Sequence, residues 1–406
     1  MSTHRTYVFT SVAALALIGV APLHVEAGGF FTAPANPVFN LGPESAWMNP
    51  AGMTGVKTDA LSVEIGAALP ITKFDASFAG AGGDDGGNAG VNGIFPAAYA
   101  VKSIGKVRLG LSILSPTGAI SGTGVDYGDN FVGRYGATKA ELGSLMIAPA
   151  LAYEVNDKLS LGFGAGATYT VFDQTIAMNT PGADGRAVID SLDGWGGIFF
   201  TGLTYKFNPA TTLGVVYRSS ADVEIDGRIS FSNLPVQPPD IDLKVSWENP
   251  QTIQVGLTHA FSPRWIVNAN VWWEDWSVFS NNRFDVTFAN NVAEVNILDR
   301  NFHDVYGGSL AVTHISGPNV INLGLSYNTS PVDDSDRTID LPLDSVLALS
   351  LGLANNASKS LTYGVGASLM INGDSQVDQT SQGVRFAGKF DTNVVFLVGG
   401  SVQWRF

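Results

Sequence analysis

Apolar residues alternate with small or polar ones along most of this chain, and that period of two constrains it more than any other feature. Leu61, Val63, Ile65, Ala67 and Leu69 are set against Ser62, Glu64, Gly66 and Ala68. Leu159, Leu161, Phe163, Ala165, Ala167 and Tyr169 are set against Ser160, Gly162, Gly164, Gly166 and Thr168. Successive side chains of a strand point to opposite faces, so each run is a ribbon greasy on one side only. In a soluble β-sandwich the greasy side would meet a core and the other side, facing water, would be strongly polar. Here the second side is rich in glycine, with 47 in the chain, and only 14% of all residues are charged. That balance suits a wall between lipid and a lumen, where apolar side chains face hydrocarbon and small polar ones face inward.

The same pattern returns at Val107–Ile113, Ile253–Leu257, Val267–Trp273, Ile321–Tyr327, Leu347–Leu353 and Leu361–Leu369. It returns last at Phe396–Phe406, a ribbon ending on an aromatic, as the closing strands of outer-membrane barrels do. About fourteen such segments are expected, an even number as single-chain bacterial barrels have. The connections alternate too. Short ones are Ser103 to Gly105, Asn156-Asp157, Asn208 to Ala210, Ser262-Pro263, Ser316 to Asn319 and Asn355 to Ser358. Between them lie long ones, about Thr72 to Asn92, Ser115 to Lys139, Gln174 to Gly194, Asn233 to Ser246, Phe279 to Asn301, Ser330 to Asp344 and Asn372 to Asp391. Short turns on one rim and long loops on the other are the periplasmic and extracellular ends of such barrels. The fold class is therefore all-β, a 14-stranded antiparallel transmembrane barrel over residues 59–406, its last strand expected to pair with Leu61–Leu69.

Residues 1–27 read as a signal peptide, with Arg5, an apolar run from Val12 to Ala21 and a small-x-small site at Val25-Glu26-Ala27. Residues 28–58 lack alternation yet carry Phe30, Phe31, Phe39, Leu41 and Trp47, too apolar for a solvated tail. They are expected to fold into the lumen as a plug. The chain has no Cys, which rules out disulfides and thiolate metal sites, and its net charge of −14 argues against nucleic acid.

Little in the chain points to catalysis. His259, His303 and His314 are the histidines beyond the leader, and no Ser or Asp pattern around them suggests an activated nucleophile. The acidic runs Asp84-Asp85 and Asp333-Asp334-Ser335-Asp336 lack the spacing of a dedicated calcium loop, so no metal or cofactor is expected. Arg134, Arg218, Arg283 and Arg337 are candidate contacts for a carboxylate or lipopolysaccharide, and Arg218 is expected to point inward.

Several local motifs resemble one family. Asn49-Pro50-Ala51-Gly52-Met53 is similar to a hatch motif, and Ile147 to Tyr153 followed by Asp157 to Gly162 is similar to that family's fourth and fifth strands. Tyr217-Arg218-Ser219, Trp276-Ser277-x-Phe279, and Tyr327 through Ser330-Pro331-Val332 to Arg337 and Leu341-Pro342 follow in family order. Over nearly the whole mature chain the sequence resembles the FadL family of outer-membrane long-chain fatty acid and hydrocarbon transporters. The segment before Asn49 departs from the family in being shorter and more proline-rich.

The resemblance implies a bacterial outer-membrane barrel, not an enzyme, with an N-terminal hatch set against a kinked third strand that opens the wall sideways. That strand is about Lys106 to Ser115, and the gate is expected at Ser115, Pro116 and Gly118 with the hatch residues Asn49, Pro50 and Ala51. Proline removes a ladder donor there and glycine permits a bend. Ligand contacts are expected from Phe30 and Phe31, from Ile120 and Phe131 in one long loop, from Leu234 and Ile241 in another, and from Arg218. The expected function is passive uptake of hydrophobic molecules, long-chain fatty acids first and aromatic hydrocarbons as the alternative. A structural or adhesion barrel acting through acidic loops is the reading from a different class. The expected partners are the hydrophobe, outer-membrane lipid and lipopolysaccharide, and the barrel assembly machinery, with the protein a monomer.

Overall fold

A computed structural model describes residues 42–116, 118–287 and 293–406. The expected leader and Phe30 and Phe31 lie outside the described residues. One antiparallel sheet contains twenty-one strand segments. They are β1 (Ala60–Ala79), β2 (Gly90–Val91), β3 (Gly93–Ile104), β4 (Val107–Leu114), β5 (Thr123–Asp126), β6 (Lys139–Glu154) and β7 (Leu159–Met178), then β8 (Gly185–Asn208), β9 (Thr211–Arg218), β10 (Ala221–Ser232), β11 (Ile241–Asn249), β12 (Thr252–Ser262), β13 (Trp265–Glu274) and β14 (Asn281–Thr287). The last are β15 (Ala293–Asp299), β16 (Val305–Ser316), β17 (Asn319–Asn328), β18 (Val346–Asn356), β19 (Leu361–Asn372), β20 (Val377–Ser381) and β21 (Val384–Arg405). The final ribbon pairs with the first, Leu61 with Trp404 and Leu69 with Phe396, so the sheet closes on itself. Closure leaves no row of unpaired N–H and C=O groups to face hydrocarbon.

The expected count of fourteen uninterrupted strands is not what forms: sixteen of the segments run eight residues or longer. The excess comes from ribbons cut at one level. β9 gives way to β10 after Arg218, β11 to β12 at Pro250-Gln251, β13 to β14 after Glu274, and β15 to β16 before Val305. These cuts are in register across the sheet, because Thr252 pairs with both Arg218 and Glu274, and Glu274 pairs with Val305.

The cuts mark a change of solvent. On the short-turn side apolar residues face outward, as with Leu323 and Leu325, while Asn322 and Ser326 on either side of them are buried. Exposed aromatics ring this band, with Phe207, Phe261, Trp265, Tyr363 and Trp404 near the short turns and Trp195, Tyr306 and Tyr327 toward the other edge. Such girdles flank the hydrocarbon zone of outer-membrane barrels. Beyond the cuts the phase inverts: in β10, Val223, Ile225 and Ile229 are buried while Asp222, Glu224 and Asp226 are exposed. The ribbons have left lipid for water and now close around an apolar core. Much of what the sequence suggested as loops is therefore strand. β7 and β8 run through most of Gln174 to Gly194, and β14 and β15 occupy much of Phe279 to Asn301.

The third ribbon is interrupted where proline and glycine suggested it. β4 pairs with β6 up to Leu114–Met146, and the strand ladder resumes at Thr123–Leu142 with β5. Between the two, residues 118–122 turn inward, so that Ala119 packs with Phe95, Met370 and Val395. Ile120 N–H donates to the Ile94 carbonyl, and Ile94 N–H donates to Ser121 Oγ, both near 3.0 Å. Gly118 has φ +71°, and a Cβ there would strike the Leu142 carbonyl, so only glycine fits.

The phase of alternation makes a direct prediction. Leu323→Arg, on the lipid face in the middle of β17, should destabilise the barrel by about 2–4 kcal/mol, whereas a charge near either rim should matter far less. Urea titration of protein refolded in lipid vesicles measures this, and an unchanged midpoint would place Leu323 outside the hydrocarbon.

Candidate functional site

The first described residues form a short helix, α1 (Ser45–Met48), and a 3-10 turn, Pro50–Gly55, both buried against the inner wall near the short turns. Small residues make the room. A Cβ on Gly162 would run into the backbone of Pro50 and Ala51, one on Gly202 into Asn49 Oδ1, and one on Gly110 into Met53 and Ala46. Asn49 is the hinge between helix and turn. Its side chain accepts from Ala51 N–H at 3.2 Å and donates to the Leu203 carbonyl of β8 at 3.3 Å. Proline at the first position of the turn suits a place where its missing N–H is not needed.

Arg218 secures the other side. Its guanidinium donates to Gln254 Oε1 at 3.0 Å and to the Met48 carbonyl at 3.2 Å, and it lies 4.8 Å from the ring centroid of Trp47. A cation at a helix C-terminus meets the negative end of the helix dipole. Trp47 in turn meets Phe200 edge-on at 4.9 Å, in a cluster that includes Tyr99 and Leu114. Leu114 is the last residue before the interrupted wall, so the inner segment and the interruption share one packed core.

Above this segment lies a cavity of about 130 Å³. Its floor and sides come from Pro70 and Thr72 of β1, Thr123 to Val125 of β5, Met370 and Asn372 of β19, and Asn393 and Val395 of β21. Glu274, Trp276 and Val305 enter from the level where the ribbons are cut, and Asp340 to Asp344 from the loop between β17 and β18. Because Thr123 to Val125 directly follow the interruption, the cavity abuts it. Two buried cations brace the loop. Arg300 pairs with Asp340 at 2.9 Å with both side chains 1% exposed, and Arg337 binds Asp334, the Leu343 carbonyl at 2.6 Å and the Gln376 carbonyl at 2.9 Å. Neither arginine lines the cavity. Tyr127 donates to the Ile339 carbonyl at 2.9 Å, and burial, with the charge of Asp340 adding to it, holds its hydroxyl proton well beyond the usual phenol range.

The structure gathers some of the expected ligand residues and separates others. Phe131 and Ile241 are buried in the apolar core of the mouth and Leu234 packs on it, together with Trp276, Val305 and Leu341 of the cavity wall. Ile120 lies on the interruption itself and is 48% exposed. Ser115 and Gly118 are buried beside it, with Pro116 half-buried. Arg218 faces inward but is occupied with the inner segment and lies outside the cavity lining. Backbone pairing places Arg283 on β14, and Arg134 is held by Asp184 at 2.7 Å. The acidic loop spends its carboxylates on partners, Asp334 on Arg337 and Asp336 on Asn301. Missed from sequence were Glu274 and Asp340. Their flanks, Trp276-Ser277 and Arg337 to Pro342, carried family motifs, which was the available signal.

The sequence profile described as Outer membrane protein transport protein (OMPP1/FadL/TodX) matches residues 11–406. The chain belongs to the FadL/TodX family of outer-membrane transport proteins. Among curated relatives of this FadL-family barrel, a long-chain fatty acid transport protein from Escherichia coli O6:H1 is 24% identical over 291 residues, 61% of this chain and 64% of the relative. The match thus spans just under two thirds of that protein's length. A Salmonella typhi protein of the same name is 22% identical over 67% of this chain and 70% of its own. Among solved structures, a Pseudomonas aeruginosa FadL homologue superposes with a TM-score of 0.82 at 17% identity, covering 94% of this chain and 98% of that one. The Pseudomonas putida toluene transporter TodX gives 0.75 at 17% identity, covering 93% and 98%. At such identities the likeness is one of fold. The barrel resides in the outer membrane.

Two predictions follow from the docking of the inner segment. Gly202→Ala should displace Asn49, so limited proteolysis ought to cut residues 42–58 faster while the barrel keeps its heat-dependent mobility shift on gels; equal cutting rates would show that the fit is loose. Burial raises the carboxyl pKa of Glu44 above its ordinary 4.5. The raised folded value means that docking is strongest at pH below the unfolded value and weakens as pH rises through the folded one. Protease protection of the segment should therefore fall between mildly acidic and alkaline pH, and Glu44→Gln should flatten that slope.

Proposed function

We propose that this barrel passes hydrophobic molecules from the cell exterior into the outer membrane without an energy source. The observation that carries the reading is a cavity set between an apolar mouth and an interruption in the wall. The mouth cluster around Phe131 and Ile241 collects the ligand, since apolar burial gains about 25 cal/mol per Å². The cavity holds it, and residues 118–122 yield to let it leave sideways into lipid. The segment at Asn49 to Ala51 acts as a hatch beneath, keeping the lumen closed to water. Shared packing of Trp47, Met48 and Leu114 links hatch to exit. Ring closure within one chain suits a monomer, delivered to the membrane by the barrel assembly machinery.

Between the two substrate classes, the cavity favours compact uncharged hydrophobes such as single-ring aromatics. Its volume is near the roughly 150 Å³ in which a buried apolar cavity takes up benzene. Its lining holds no basic side chain to receive a carboxylate head, and the two arginines nearby are already paired, Arg300 with Asp340 and Arg337 with Asp344. Long-chain fatty acids are the second reading, supported by the names of the curated relatives and by the extent of the mouth cluster.

The absence of cysteine allows a clean test. Ile94→Cys with Ile120→Cys places two thiols where the inturned residues meet β3. Oxidation should abolish toluene uptake into cells lacking other routes, and reduction should restore it. Uptake that continues through the crosslinked protein would remove the lateral exit from the mechanism.

A further inference from the structure

Asp340 lines the cavity and is 2% exposed, yet only one of its carboxylate oxygens is engaged. Oδ2 accepts from Arg300 Nη2 at 2.9 Å, while Oδ1 is buried with no hydrogen-bond partner among the described residues. An acceptor left open in a buried carboxylate is unusual, because such oxygens normally find donors. The surrounding lining is mainly apolar, from Val305, Leu341, Val346, Met370 and Val395.

We propose that Asp340 is a specificity-determining residue that selects hydroxyl-bearing compact hydrophobes, such as alkylphenols, over the parent hydrocarbons and over carboxylates. The inference rests on the cavity being the ligand site of the transport reading. A hydroxyl placed at Oδ1 donates a charge-assisted hydrogen bond, stronger than a neutral one. The ring stays among the aliphatic side chains. A hydrocarbon leaves the oxygen unmatched, and sites built around a hydroxyl discriminate strongly against analogues lacking it. A carboxylate has no proton to give Oδ1 and sets one acceptor against another there. Arg300 has a positioning role: it fixes the carboxylate so that one oxygen remains open, and its own Nη1 donates to Thr338 Oγ1 at 2.7 Å.

Titration calorimetry of the purified full chain in detergent tests this with p-cresol, toluene and 4-methylbenzoate as probes. The expected order is p-cresol first by roughly tenfold over toluene, with 4-methylbenzoate weakest. Asp340→Asn should bring the p-cresol to toluene ratio near one. Since that change leaves Arg300 buried without its counter-ion, the double variant Arg300→Met, Asp340→Leu serves as a second arm. Replacing a buried pair with apolar residues of similar size keeps folds intact, the heat-dependent gel shift verifies it here, and the same loss of preference is expected. Binding of all three probes without this ranking, or a preference that survives both variants, overturns the role of Asp340 while leaving the cavity as a ligand site. Failure of every probe to bind overturns the cavity reading and this inference with it.

Discussion

The whole architecture depends on keeping backbone N–H and C=O groups paired where there is no water to receive them. Closing β1 on β21 meets that demand around the ring, and it also makes any gap in the wall conspicuous. Such a gap follows Leu114, and residues 118–122 manage it by folding inward rather than out. The freed groups of Ile94 and Ile120 bond each other or Ser121. Gly118, with its positive φ, lets the backbone pass within touching distance of Leu142. The interruption is thus sealed by short local bonds and a few small side chains.

The sequence showed the membrane band well because lipid on one side and a crowded lumen on the other impose opposite polarity at every second residue. It showed the outer third poorly for an equally physical reason. Above the cuts after Arg218 and Glu274, water replaces lipid and the apolar face turns inward, so Val223, Ile225 and Ile229 follow Asp222 and Glu224 with the phase reversed. A pattern whose sign changes part-way along a ribbon looks like the end of a strand. The motif at Asn49 to Ala51 and the Pro116–Gly118 bend were legible by resemblance and by backbone chemistry. The cavity was not, since Thr72, Val125, Glu274, Asp340 and Val395 come from five distant stretches brought to one height only by register.

That height is where the parts communicate. The cut ribbons supply Glu274 and Val305, the interrupted ribbon supplies Thr123 to Val125, and the braced loop supplies Asp340. Beneath them, Arg218 is itself the last residue before a cut and holds the carbonyl of Met48. Tyr127, anchored to Ile339, ties the mouth to the same loop.

A conduit for hydrophobes must hold its ligand less firmly than the phase that receives it. Burying a compact aromatic, with its ~150–250 Å² of apolar surface, gains about 4–6 kcal/mol, but lipid offers the same gain without confinement. A purely apolar cavity would hold little preference among hydrophobes. A lining that mixes Met370 and Val395 with Asn372, Asn393 and an open carboxylate oxygen recognises one polar point while keeping apolar contact moderate. On the proposed lateral route, departure needs one hydrogen bond to break and the inturned residues at Ala119 and Ile120 to shift.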